Sequence, residues 1–167
     1  QLVELAAKQM LTLVMNILDV QKLSDSKIEL SISQVALVKI VQDAINYISL
    51  SAKQKNITLR VEVPADTIVN CDAPLIERVL INLLSNAIYY SPLNETITVK
   101  ATSSETDAVV ISVIDKGKGI AKEQLDTLFD ENRTIERGND KYSTGIGLQY
   151  CKWVLTAHQS TIQVKKL

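Results

Sequence analysis

The sequence predicts an α+β protein, with helices layered on one face of a mixed, mostly antiparallel sheet and one long helix in front. Three observations lead there. Apolar residues recur at helical spacing over 1–23 and again over 34–51. Short alternating segments, bounded by prolines and polar turns, punctuate the rest of the chain. Two of them, Thr96–Thr102 and Ala108–Ile114, are joined only by the polar turn Ser103–Asp107.

In residues 1–23, Val3, Ala6, Met10, Leu13, Ile17 and Val20 step by three and four. That heptad seam suits one helix of a coiled coil or helical hairpin, and equally a core helix of the same domain. The segment holds no glycine or proline and begins abruptly, which fits the end of a longer stalk. Residues 24–33 turn polar, then alternate, and read as a linker leading into an edge strand. The domain proper is expected over 34–167. Its first helix, 34–51, carries Val35, Val38, Val41, Ala44, Ile45 and Ile48 on one face. Ile57–Val63 alternates as a strand and stops at Pro64, and Ile68–Cys71 is a short strand. Asp72 caps a helix that passes Pro74, runs to about Tyr89 and ends before Ser91-Pro92. Beyond the Thr96–Thr102 and Ala108–Ile114 pair come a glycine-rich turn and a short helix near Glu123–Leu128. A polar loop from Asp130 to Tyr142, a helix over about Gly145–Ala157 and a closing strand, Thr161–Val164, complete the pattern.

Composition removes several function classes. The 167 residues are 46% hydrophobic and 22% charged, as in an ordinary globular domain. A formal net charge of −1 gives no reason to expect nucleic acid or an anionic membrane surface as partner. Cys71 and Cys151 are isolated and His158 is the lone histidine, so no four-ligand zinc site is expected, and two buried thiols are. No run reaches about 18 apolar residues, and no signal peptide opens the chain. The chain starts on Gln1 and reads as an excised piece, which leaves room for a membrane anchor upstream.

Four segments carry chemistry. Asn82 and Asn86, in Asn-Leu-Leu-Ser-Asn-Ala, are four apart and share one helix face. Amides are poor helix formers among apolar neighbours. They suit a hydrated Mg²⁺ and phosphate oxygens, because magnesium prefers oxygen ligands and keeps several waters; taken alone, surface amides bonded to nearby backbone are the commoner case. Asp115-Lys116-Gly117-Lys118-Gly119-Ile120 follows an apolar strand. Its glycines let backbone approach a flat ligand, and an ionised Asp can accept from an exocyclic amine such as adenine's; a lone motif of this kind is otherwise a strand-ending turn. Ser143-Thr144-Gly145-Ile146-Gly147-Leu148 opens the last helix, where backbone N–H groups form an anion site, or merely a loop-to-helix transition. Leu128-Phe129-Asp130 precedes the polar loop, and Phe129, the only phenylalanine, either joins the core or anchors a lid.

Singly these signals are weak; their order and spacing are specific. The chain resembles the histidine-kinase branch of the ATPase superfamily that also holds DNA gyrase, the large heat-shock chaperone and the mismatch-repair ATPase. The resemblance covers 34–167: an asparagine box at Leu75–Pro92, a first glycine box at 115–120, a phenylalanine box at 128–130 and a second glycine box at 143–148. Residues 1–23 resemble the second helix of that family's dimerisation stalk.

The resemblance implies a two-layer α/β sandwich that binds ATP and Mg²⁺. Asn86 would be the metal ligand and Asn82 its neighbour on the phosphate side, the two forming the catalytic pair. Asp115 would hold the adenine amino group, with Gly117, Gly119 and Ile120 shaping that pocket beside Phe129. Thr144, Gly145, Ile146, Gly147 and Leu148 would wrap the phosphates under a lid formed by 130–142. The activity implied is that of a protein-histidine kinase in two-component signalling, passing the γ-phosphoryl group to a histidine outside this chain. The partners implied are a second copy through the stalk helices and a response-regulator receiver domain, in the cytoplasm.

Departures from the family pattern fall on the phosphate side. Tyr89 stands where a basic residue is usual, Asn132 where a second aromatic is usual, and Ser143 where the second glycine box usually begins. Lys116, Arg133, Arg137 and Lys141 are the candidates to supply the charge. These departures favour one alternative, a divergent module that binds nucleotide weakly or not at all and signals through protein contacts. An autonomous ATPase is disfavoured. Water-splitting relatives place a glutamate base four residues before the first asparagine, where this chain has Arg78; Glu77 is rotated about 100° away.

Overall fold

The computed structural model describes residues 29–103, 108–121, 128–129 and 146–165. They fall in two compact units, Ser31–Gly119 and a second that takes in the described residues 29–30 and 120–165. The expected stalk helix over 1–23, the Glu123–Leu128 helix apart from Leu128 itself, and the 130–142 loop lie outside the described residues.

The Ser31–Gly119 unit runs β1 (Ser33–Ala36), α1 (Leu37–Gln54), β2 (Thr58–Glu62), β3 (Ile68–Cys71), α2 (Ala73–Tyr90), β4 (Thr96–Ser103) and β5 (Val109–Ile114). The first helix starts three residues later than its apolar period suggested. Gln34–Ala36 are used as strand instead, pairing antiparallel with Ile68–Asn70 of β3. The helix therefore buries Leu37, Ile40, Val41, Ala44, Ile48 and Ala52, while Val38 and Ile45 are only half-buried. Its C-terminus runs on to a Schellman closure. Asn56 sits at φ 52°, Asn56 N donates to Lys53 O, and Ile57 N donates to Ala52 O at 2.9 Å.

For α2 the local signals and the structure agree closely. Asp72 is extended, and its Oδ1 accepts from Leu75 N. Its Oδ2 accepts from Ser31 N at 3.0 Å, which ties the chain entering β1 to the start of this helix. The C-cap Ser91 is extended (ψ 143°), as Pro92 demands of the residue before it. Helices α1 and α2 pack together. β2 and β4 are parallel, which needs a crossover, and β3 with α2 supplies it. β4 and β5 are antiparallel. β4 alternates, with Ile97, Val99 and Ala101 inward and Lys100 outward. The sheet is thus mixed, as expected, with three strands ordered β2-β4-β5 and a separate β1-β3 pair. Leu37, Val41, Leu84, Ile97 and Val99 are fully buried.

In the second unit, α3 (Ile146–Ala157) buries Tyr150, Cys151 and Val154 on one stripe. The closing strand expected at Thr161–Val164 is absent: residues 161–165 have no regular structure. A strand exists only through ladder partners, and alternation of residue type does not create them. Neither cysteine forms a disulfide, and both are buried. Burial raises the Cys71 thiol, with Asp72 adding to the effect, and pushes Cys151 up to about 12, so both are inert thiols at neutral pH. Among the described residues, no helix is long and apolar enough to cross a membrane.

Candidate functional site

Asn82 and Asn86 occupy successive turns of α2. Asn82 is 9% exposed, flanked in sequence by the buried Leu80, Ile81 and Leu84; Asn86 is half-buried. Two amides thus point from one face of an otherwise apolar helix, offering uncharged oxygen donors of the kind a hard cation accepts. Tyr89 follows one turn later and is exposed.

Asp115 stands exposed directly after β5. Its Oδ1 accepts from Gly117 N at 2.7 Å, closing an Asx turn. The carboxylate keeps acceptor capacity on Oδ2 for an incoming donor. Gly117 has no room for a side chain: a Cβ there would lie 2.7 Å from Asp115 Oδ1 and 3.2 Å from both Cβ and O of Tyr90. Gly119 has φ +72°, a left-handed conformation natural to glycine, and open space around it. The Asp115 loop therefore sits directly on the last turn of the helix that carries the two asparagines.

Two participants at this junction escaped sequence reasoning. Tyr90 forms the wall behind Gly117, and its ring meets that of Tyr89 edge-on at 5.0 Å. Lys55, at the end of α1, places its Nζ on the carbonyls that close α2. Tyr90 was within reach, lying beside Tyr89 just before Ser-Pro. Lys55 is more than thirty residues from its partners, and no local pattern could point to it.

The other expected site residues are distributed differently. Ile120 follows Gly119 in the chain and is half-buried, as is Phe129, next to the buried Leu128. Ile146 is the first residue of α3, and Gly147 and Leu148 in the same turn are half-buried. Thr144 and Gly145 lie outside the described residues. So do Arg133, Arg137 and Lys141; Lys116 is exposed. Glu77 is half-buried, and burial with the nearby charge of Asp43 on α1 raises its carboxyl above the usual range. His158 is half-buried beyond α3, its Nδ1 2.8 Å from the carbonyl of Val154.

The profile of the family described as histidine kinase-, DNA gyrase B-, and HSP90-like ATPase matches residues 71–166, which is more than half of the chain. The chain belongs to this family. Its fold agrees: histidine kinase AdeS of Acinetobacter baumannii superposes with a TM-score of 0.74 at 24% identity, over 92% of this chain and 70% of that one. Full-length ShkA, solved in complex with AMPPNP, superposes with a TM-score of 0.73 at 22% identity, over 91% and 32%. Among curated relatives, the adaptive-response sensory kinase SasA of Synechocystis sp. is 32% identical over 153 residues, 91% of this chain and 40% of that protein. The chain spans about two-fifths of the length of such relatives. The helix that carries Asn82 and Asn86 and the loop Asp115–Gly119 meet in the Ser31–Gly119 unit.

Proposed function

We propose that this chain is the Mg-ATP-binding catalytic domain of a sensor histidine kinase, transferring the γ-phosphoryl group to a histidine outside the chain. The observation that carries the reading is the seating of the Asp115 loop on the α2 terminus, with Gly117 against Tyr90. It puts one carboxylate acceptor and two amide oxygens on adjoining elements, the donor set that an aminopurine and a magnesium-bound phosphate need. ShkA was solved with an ATP analogue, which supports a nucleotide ligand. Asn86, with Asn82 beside it, would hold Mg²⁺, which when bound neutralises charge on the phosphate oxygens. Asp115 orients the base by accepting a hydrogen bond from its amino group, and Gly117 and Gly119 admit the ring. In the transfer, a Pγ–N bond to the acceptor imidazole forms, the Pγ–O bond to ADP breaks, and the imidazole loses its proton. Positioning and charge neutralisation supply most of such catalysis. Glu77 stands one residue from the position four before Asn82, rotated about 100° around the helix, and is poorly placed to activate water. In the full-length protein, pairing through stalk helices, a receiver-domain partner and a cytoplasmic location follow from the same reading.

The test is incubation with labelled ATP, comparing this chain with one extended upstream. Acid-labile label is expected on the extended form alone. His158 is bonded to its own helix and lies about 18 Å along α3 from the glycine-rich start. Label on the short chain that vanishes in His158→Ala would overturn the assignment.

Tyr89 is the observation that favours the alternative, a module that binds nucleotide weakly and signals through contacts. Tyr89→Lys is expected to tighten ATP binding more than adenosine binding. A charge-assisted phosphate contact contributes about 1.5–3 kcal/mol, less here because the site is exposed. Unchanged or weaker ATP affinity on calorimetric titration would show that another cation already serves the phosphates.

A further inference from the structure

We propose that Lys55 is a positioning residue of the nucleotide site, holding the last turn of α2 as the wall behind the Asp115 loop; the proposal rests on the nucleotide reading above. The last carbonyls of a helix have no partner within it. In α2 three carbonyls at this end converge on one ammonium. Lys55 Nζ donates to Ile88 O at 3.0 Å, Tyr89 O at 2.7 Å and Ser91 O at 3.3 Å. An ammonium has three protons, and all three are used. Its charge also suits the negative end of the helix dipole and lies 5.7 Å from the centre of the Tyr89 ring.

Lys55 is itself fixed at a stapled corner. Its carbonyl accepts from Asn94 N at 3.1 Å, and Thr58 N donates to Glu95 O at 2.9 Å. The Asn56 amide donates to Asn94 Oδ1 at 3.3 Å. Both asparagines hold left-handed backbone, at φ 52° and 63°. The corner thus gives the ammonium a rigid base. Between the carbonyls it holds lies Tyr90, whose Cβ and O back Gly117 so closely that no side chain would fit between them. Any drift of that turn moves Tyr90 into the Asx turn of Asp115, or away from it. With its protons committed, Lys55 has none to offer a phosphate. It acts on the base side of the site, through backbone.

The experiment titrates ATP and adenosine, both with Mg²⁺, into the wild-type chain, Lys55→Met and Lys55→Gln, and records each melting temperature. Lys55→Met keeps the stem and removes the donors. Both ligands are expected to weaken by the same factor, about tenfold, well within what an ångström-scale misplacement can cost. Lys55→Gln, with two donors, should fall between. Loss of ATP affinity alone would overturn the proposal, since it would mean that the ammonium serves the phosphates. A lower melting temperature with both affinities unchanged would overturn it too, leaving Lys55 a stability residue only. Should the variants not fold, the wild-type Lys55 Nζ resonance decides: a shift on adding adenosine supports the role, and none opposes it. A wild-type chain that binds neither ligand would instead refute the nucleotide reading itself.

Discussion

Asp115→Asn is expected to abolish binding of both adenosine and ATP while leaving the melting temperature nearly unchanged. Asparagine keeps an Oδ1 that can accept from Gly117 N, as Asp115 does at 2.7 Å, so the turn survives. What changes is the other side of the group, where an NH₂ replaces a carboxylate oxygen. A donor then faces the donor of the base. Losing a hydrogen bond to a charged acceptor costs about 1.5–3 kcal/mol, and the opposed donors add to that, so affinity should drop by roughly a hundredfold or more. Calorimetry showing equal affinities in the two proteins would remove Asp115 from the site.

Gly117→Val should be nearly as severe, for a steric reason. The added Cβ would meet Asp115 Oδ1 at 2.7 Å and the backbone carbonyl of Tyr90 at 3.2 Å. The carboxylate could swing away only by giving up the Asx turn, and the carbonyl belongs to a helix end that Lys55 holds. Forced overpacking of this kind costs about 1–3 kcal/mol. The expected result is a large loss of adenosine and ATP affinity with a modest fall in stability. Gly119→Ala is the contrast. At φ +72° it is strained, but its Cβ meets nothing, so it should lower stability by about 1–2 kcal/mol with a smaller loss of binding. Unaltered binding in Gly117→Val would mean that the loop does not face the ligand.

Where the fold could be read from the sequence, the signals were local and mutually consistent. For α2 a side-chain cap at Asp72 and a proline stop at Pro92 bracket a continuous apolar stripe, and the helix lies within one residue of expectation. β4 alternates because it lies between two strands with one face on the core. The start of α1 was misplaced because Gln34–Ala36 satisfy a helical period equally well; only their pairing with β3, more than thirty residues away, makes them strand. Thr161–Val164 failed in the opposite sense, having a strand pattern without ladder partners. The turn at Asp115 and its glycines was legible because turn chemistry demands those residue types. Tyr90 and Lys55 were not, since their part depends on which backbone atoms they meet after folding.

The most direct test of the account is a calorimetric titration of the chain with ATP, once with Mg²⁺ and once with a chelator, and with adenosine under both conditions. Saturable ATP binding that tightens with Mg²⁺ is expected, together with weaker adenosine binding that Mg²⁺ leaves unchanged, because in the proposed site the asparagines would serve the phosphates and Asp115 the base. ATP affinity indifferent to Mg²⁺ would contradict the role given to Asn82 and Asn86, and no heat from any of the ligands would contradict the nucleotide site itself.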